Sequence, residues 1–141
     1  MAYIFKQKLN LADLAGLSAG PKRILIYEPE DYLAALYTHY LCQHNFDIKH
    51  CPNLSEVSGV IANFHPHLFI FNADGFSAAP KFSGLILSLS QKFSDLHFLT
   101  IGYNLSRQGI KELMSAGVES HLNRRLSRPQ DIVEVARTLL Q

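Results

Sequence analysis

The chain has 141 residues, 48% of them hydrophobic, and its 13 Lys and Arg against 12 Asp and Glu leave a formal net charge of +1. Such a chain can bury one sizeable core, and it carries no global field to draw it to nucleic acid or a membrane surface. It has no apolar stretch near the ~20 residues that a membrane span needs. Its start, MAYIFKQKLN, lacks the apolar block and cleavage site of a signal peptide.

Residues 1–21 stand before the main pattern as an N-terminal extension. Tyr3, Phe5, Leu9 and Leu11 alternate with Lys6, Lys8 and Asn10, which suits a strand. Asn10 ahead of LADLAGL equally suits a capped short helix, and both readings stay open. From residue 22 to 141 short apolar runs alternate with amphipathic stretches. ILIY (24–27) is a buried-strand signal stopped by Glu28 and Pro29. DYLAALYTHYLCQHN then places Leu33, Leu36, Tyr37, Tyr40 and Leu41 on one helical stripe. FDIKHC (46–51) reads as a second strand, and NLSEVSGVIANF as a helix capped by Asn53 or Ser55.

LFIF (68–71) is a third strand, and its lack of alternation predicts burial on both faces. GFSAAPKFSG reads as a loop, followed by a helix over LILSLSQKF with Pro80 near its start. LHFLTI (96–101) is strand four, and LSRQGIKELMSAG (105–117) a helix closed by Gly117. ESHL (119–122) is a short fifth strand, and the chain ends in a helix with Ser127 as its cap and Pro129 in its first turn. Cys42 and Cys51 fall on separate elements without framework spacing, which reads as reduced thiols in a cytoplasmic protein. Among the seven histidines no close metal-ligand spacing occurs, and His65 and His67 would point to opposite faces of an extended segment.

Five β-α units in sequence argue for a parallel sheet between two layers of helices. In such sheets functional groups gather beyond the carboxyl ends of the strands. Glu28 and Glu30 after strand one, Asn72 and Asp74 after strand three, Gly102 and Tyr103 after strand four, and Arg124 after strand five should therefore share one rim.

With these residues in place, the chain from 22 to 141 resembles the receiver domain of bacterial two-component response regulators. KRILIYEPED stands where that family has an apolar strand running into an acidic pair, and HPHLFIFNADG where it has the strand before its phosphate-accepting aspartate. MSAGVESHLNRRLSRPQDIVEVARTLL follows the family's ending. The resemblance implies a flavodoxin-like, doubly wound five-stranded sheet in the order 2-1-3-4-5. It implies signalling proteins as partners, a histidine kinase or a downstream effector; the composition argues against a membrane and against nucleic acid, although Arg124, Arg125 and Arg128 form a small cluster that could hold phosphate or a nucleic-acid backbone. It also implies contacts, including a homodimer, through the face of the fourth helix, strand five and the last helix, where Tyr103, His121, Arg124, Arg125 and Arg128 lie.

The site departs from the family's pattern. Asn72 stands at the phosphoacceptor position, and Glu28 with Glu30 replaces the acidic pair around Pro29. The family's spacing back from Gly117 lands its hydroxyl residue on Gly102, with Thr100 as the other candidate; its lysine is matched by Arg124 and its switching aromatic by His121. The resemblance thus implies a degenerate receiver, not an enzyme, that takes no cofactor and holds Mg2+ weakly or not at all, with Glu28 the weak candidate ligand. Plainer readings stand beside these: Asn72 as a strand-end cap, Asp74-Gly75 as a turn, Glu28 and Glu30 as solvated acids, and the arginines as a solvated face. A salt bridge from Glu28 to Arg124 across the rim would substitute for a metal by neutralising Glu28.

Two other functions compete. A working phosphoacceptor with an unorthodox pocket keeps the same fold. A flavin- or nucleotide-binding enzyme needs a Gly- or Ser-rich turn after strand one, whose backbone N–H groups cradle phosphate. Here that turn is the acidic EPED.

Overall fold

The structure, a computed structural model, describes residues 20–74 and 80–141. The chain alternates strictly between strand and helix: β1 (Lys22–Tyr27), α1 (Asp31–Leu41), β2 (Phe46–Cys51), α2 (Val57–Phe64), β3 (Leu68–Asn72), α3 (Pro80–Lys92), β4 (His97–Gly102), α4 (Arg107–Ala116), β5 (Ser120–Asn123) and α5 (Asp131–Leu139). The strands form one parallel sheet in the order β2-β1-β3-β4-β5, as the resemblance implies. The extension over residues 1–21 lies, except for Gly20 and Pro21, outside the described residues. No helix among the described residues is long and apolar enough to cross a membrane.

Alternation along each strand splits the core into two layers. Leu25, Tyr27, Phe69, Phe71 and Phe98 pack with Val57, Ile61, Ile86, Leu89 and Leu113 from α2, α3 and α4. Ile24, Ile26, Leu68, Ile70, Leu99 and Ile101 face the other way, onto Tyr37, Leu41, Ile132, Val133 and Ala136 from α1 and α5. Every residue of β3 is buried, so its apolar run contributes to both layers at once. At ~25 cal/mol per Å2, each fully buried Phe or Ile contributes on the order of 2–3 kcal/mol. The edge strand β2 instead alternates, with Asp47 and Lys49 exposed; those charges discourage pairing with another chain.

Element ends differ from the sequence expectation where caps are involved. The helix expected over LILSLSQKF starts earlier, at Pro80, because proline at a first helical position loses no bond. Strand five is Ser120–Asn123, one residue later than 119–122. Ser127 does not cap the last helix. The Asp131 carboxylate accepts the Arg128 backbone N–H at 2.8 Å instead, the return half of a capping box, and that bond, with the Arg128 guanidinium, holds its carboxyl below the usual range. Asn53 opens a 3-10 turn, Leu54–Glu56, ahead of α2 without a side-chain cap bond. Ser106 does cap α4, accepting from the Gly109 N–H at 3.0 Å. Gly117 closes that helix at φ 128°, where a Cβ would meet Ser90 at 3.2 Å. Both cysteines are free thiols, Cys42 exposed and Cys51 buried.

At the opposite, amino end of the sheet the His67 Nδ1 accepts the Arg23 backbone N–H at 2.9 Å. That bond requires an unprotonated Nδ1. Burial first, and the Arg23 charge second, push the ring down from 6.5 to about 4. Between those values the unfolded chain binds the proton that the folded chain refuses, so stability falls as pH drops from 6.5 towards about 4. His67→Asn keeps an acceptor at the δ position and does not titrate. Urea unfolding across this range should show a shallower pH dependence in that variant than in the wild type.

Candidate functional site

Because four strands run parallel, their carboxyl ends deliver the rim residues together. Ile101 pairs in register with Asn72, which sets Gly102 one step beyond it, level with the loop after β3. Glu28 follows β1 directly. It is 1% exposed, a correction to the expectation of a solvated acid. Burying a carboxylate costs several kcal/mol unless donors surround it, and here they do. Asn72 Nδ2 donates to Oε1 at 2.9 Å and to Oε2 at 3.0 Å. The Glu30 backbone N–H adds a bond to Oε2 at 3.0 Å, while the Glu30 side chain stays exposed.

Asn72, only 9% exposed, is tied at its other end too. Its Oδ1 accepts the Asp74 backbone N–H at 2.7 Å. The two bonds together fix the amide's orientation, since a flip would set N–H against N–H and oxygen against carboxylate. Asn72 therefore does more than cap its strand.

Asp74 continues the chain of bonds. Its Oδ1 accepts the Tyr103 backbone N–H at 2.7 Å, and its Oδ2 pairs with Arg124 at 3.3 Å. This overturns the expected Glu28–Arg124 bridge. The Arg124 backbone N–H bonds the Gly102 carbonyl at 2.8 Å, which anchors the residue beside β4 and within reach of Asp74. Both partners are about a quarter to a third exposed, so the pair contributes about 1 kcal/mol at most. Arg124 and Arg125 also lie over the Tyr103 ring, at 5.6 and 5.5 Å from its centre.

The two candidates for the hydroxyl position separate cleanly. Gly102 sits at the rim, where a Cβ would meet Asp74 Oδ1 and Leu105 Cδ1 at 3.2 Å and His121 Cε1 at 3.3 Å. Thr100 lies within the sheet, fully buried, and its hydroxyl shares a 2.7 Å hydrogen bond with His121 Nδ1. Burial pushes His121 below its ordinary value, against the opposing pull of Asp74. Arg128 is apart from this network and pairs with Asp131 at 3.0 Å.

The sequence reading passed over two residues. His50 Nε2 lies 2.7 Å from the Glu28 carbonyl oxygen, holding the turn after β1 from the edge strand. Its place on the inward side of β2 with Phe46 and Ile48 was the available signal. Tyr37 reads only as part of a helical stripe, yet its hydroxyl is buried with no hydrogen-bond acceptor among the described residues. Burial pushes its phenol up, and the neighbouring Arg124 pulls it back, by its charge and as a hydrogen-bond donor toward the phenol oxygen. Among the described residues no three His, Cys, Asp or Glu side chains converge as a metal-binding group.

No family model and no curated protein matches this sequence. Solved structures do. HP1043, an orphan response regulator of H. pylori, superposes with a TM-score of 0.77 at 13% identity, over 86% of this chain and 98% of that one. A response regulator from Thermotoga maritima gives 0.76 at 12% identity, over 85% and 98%. The fold is that of a response-regulator receiver domain. An atypical orphan response regulator whose structure revealed a phosphorylation-independent regulatory mechanism shares the receiver fold at a TM-score of 0.72 and 14% identity, over 84% of this chain and 94% of that one.

The Asn72–Glu28 contact gives the rim's first test. Asn72→Ala leaves a buried carboxylate with the Glu30 N–H alone, and should cost about 2–4 kcal/mol. Adding Glu28→Met removes the stranded charge and should recover most of that loss, as read from denaturant midpoints.

Proposed function

We propose that the chain is a receiver-type signalling module that acts through protein–protein contact, without aspartyl phosphorylation and without catalysis of its own. The observation that carries this is the Asn72–Glu28 pair. In the receiver resemblance, Asn72 occupies the position of the phosphate acceptor. An amide is a feeble nucleophile and brings no charge to a metal. Its oxygen is already taken by the Asp74 N–H, and both Glu28 oxygens face N–H donors. Asn72 thus performs by hydrogen bonding the neutralising role that a cation would otherwise fill, so weak or absent Mg2+ binding follows. Gly102 brings no hydroxyl, and Asp74 fills the space into which a side chain there would project. An orphan response regulator and an atypical one with a phosphorylation-independent mechanism stand among the structural neighbours, which supports the same reading.

The partners are signalling proteins, a kinase or a downstream effector, and a second copy of the chain. The contact face is that of α4, β5 and α5. Tyr103 is 50% exposed there, with two guanidinium groups over its ring. Leu126, on the loop after β5, is 85% exposed and Met114, on α4, is 40% exposed. Aromatic rings flanked by arginine are the side chains that dominate protein interfaces. Tyr103→Ala combined with Leu126→Ser should therefore weaken self-association in sedimentation velocity. A protein monomeric at every concentration, with cross-links confined to the opposite face, contradicts the homodimer.

Incubation with acetyl phosphate and Mg2+ should leave the wild-type mass unchanged; a phosphate mapped to Asn72 or Asp74 overturns the reading. Asn72→Asp sets two carboxylates about 3 Å apart, so one must bind a proton or a cation. That variant should melt lower than wild type at neutral pH and recover with Mg2+, by the linkage of ligand binding to stability. It should gain little phosphorylation, because Gly102 still lacks a hydroxyl and Arg124 is bulkier and less compact in charge than lysine.

A further inference from the structure

A cavity of about 290 Å3 opens between α1, the carboxyl ends of β4 and β5, and the start of α5. Leu33 and Leu36 line it from α1, with Ile101, Leu122 and Ile132 from the sheet and α5. Tyr37 also lines it. That residue is 4% exposed, and its buried O–H has no acceptor among the described residues, since the neighbouring Arg124 can only donate to the oxygen. Leaving such an O–H without an acceptor is destabilising, and a bound acceptor removes that cost. Tyr32, Tyr103, Ser127, Pro129, Arg124 and Arg128 complete the lining, and no acidic side chain belongs to it.

We propose that this cavity binds a small aromatic carboxylate. The volume lies at the lower end of ligand sites, about 300–1,000 Å3, which suits a body of one or two rings and excludes a dinucleotide. Leucine and isoleucine walls favour an apolar body. A carboxylate oxygen supplies the acceptor that the Tyr37 hydroxyl lacks. Burial keeps that phenol protonated, hence a donor, well above neutral pH. The two guanidinium groups supply charge complementarity, since each is paired with a single carboxylate, Asp74 or Asp131, and each carries five N–H groups. Ligand on Arg124 competes with Asp74, so occupancy loosens the rim at Asp74 and Tyr103. The site stands or falls separately from the phosphorylation reading, because its readout is ligand binding.

The test is 1H–15N correlation NMR on the whole chain, titrated with benzoate, salicylate and indole-3-acetate, and with neutral benzamide and inorganic phosphate as comparators. At least one arene carboxylate should shift Leu36, Leu122 and Ile132 saturably, with a dissociation constant of about 1 mM or below. Benzamide and phosphate should bind at least about tenfold more weakly, for want of charge and of an apolar body respectively. Tyr37→Phe should weaken the carboxylate about tenfold and raise the melting temperature of the free protein, since it deletes a buried O–H that has no acceptor. Arg128→Gln, a surface change, should weaken the carboxylates and leave benzamide alone. No saturable shift with any of the three carboxylates at about 10 mM overturns the proposal. So does benzamide or phosphate binding as tightly as the carboxylates, or unchanged carboxylate affinity in Tyr37→Phe and Arg128→Gln.

Discussion

A carboxylate buried at the end of β1 constrains everything on the rim. Glu28 has its charge-bearing group out of water, and a carboxylate there is tolerable only with donors on both oxygens. The turn after β1 supplies one donor through the Glu30 N–H, and β3 supplies the rest through Asn72. Asn72 must then turn its oxygen outward, which fixes the Asp74 backbone. Asp74, so placed, receives Tyr103 and Arg124. Four strand ends are thus tied in series by side chains, in addition to the backbone ladder that joins the strands themselves.

The polar side-chain atoms of Glu28, Asn72 and Asp74 are held by one another, by Arg124 or by backbone N–H groups, and Thr100 is tied to His121 below the surface. A network in which each member is satisfied is rigid and specific. Its sensitivity lies in its partly exposed end, where Asp74, Arg124 and Tyr103 meet solvent.

The fold was largely legible in the sequence because its signals are local. An unbroken apolar run as short as LFIF, bounded by polar residues, reads as a strand buried on both faces, and Gly117 suits the positive φ at which its helix ends. Partners on the rim were less legible because they depend on register. That Arg124 meets Asp74 and not Glu28 follows from its backbone bond to Gly102, a fact of strand pairing that spacing along the chain does not contain. Glutamate after a strand is ordinarily solvated, so Glu28 gives no sign of burial until Asn72 is seen beside it, 44 positions away. Helix starts were misread where a backbone N–H is satisfied from inside the helix, as at Asp131, and not by a hydroxyl ahead of it.

Arg124 touches three things at once: the Asp74 carboxylate, the Tyr103 ring and the cavity beside Tyr37. A single side chain in three contacts makes those contacts thermodynamically dependent on one another. Any binding event that favours one position of the guanidinium changes the affinity at the other places it touches, and by the same factor in return. Tyr103 lines that cavity as well, so a partner protein that covered Tyr103 and a molecule that entered from the α1 side would sense each other through the ring and the guanidinium, with no movement of the sheet.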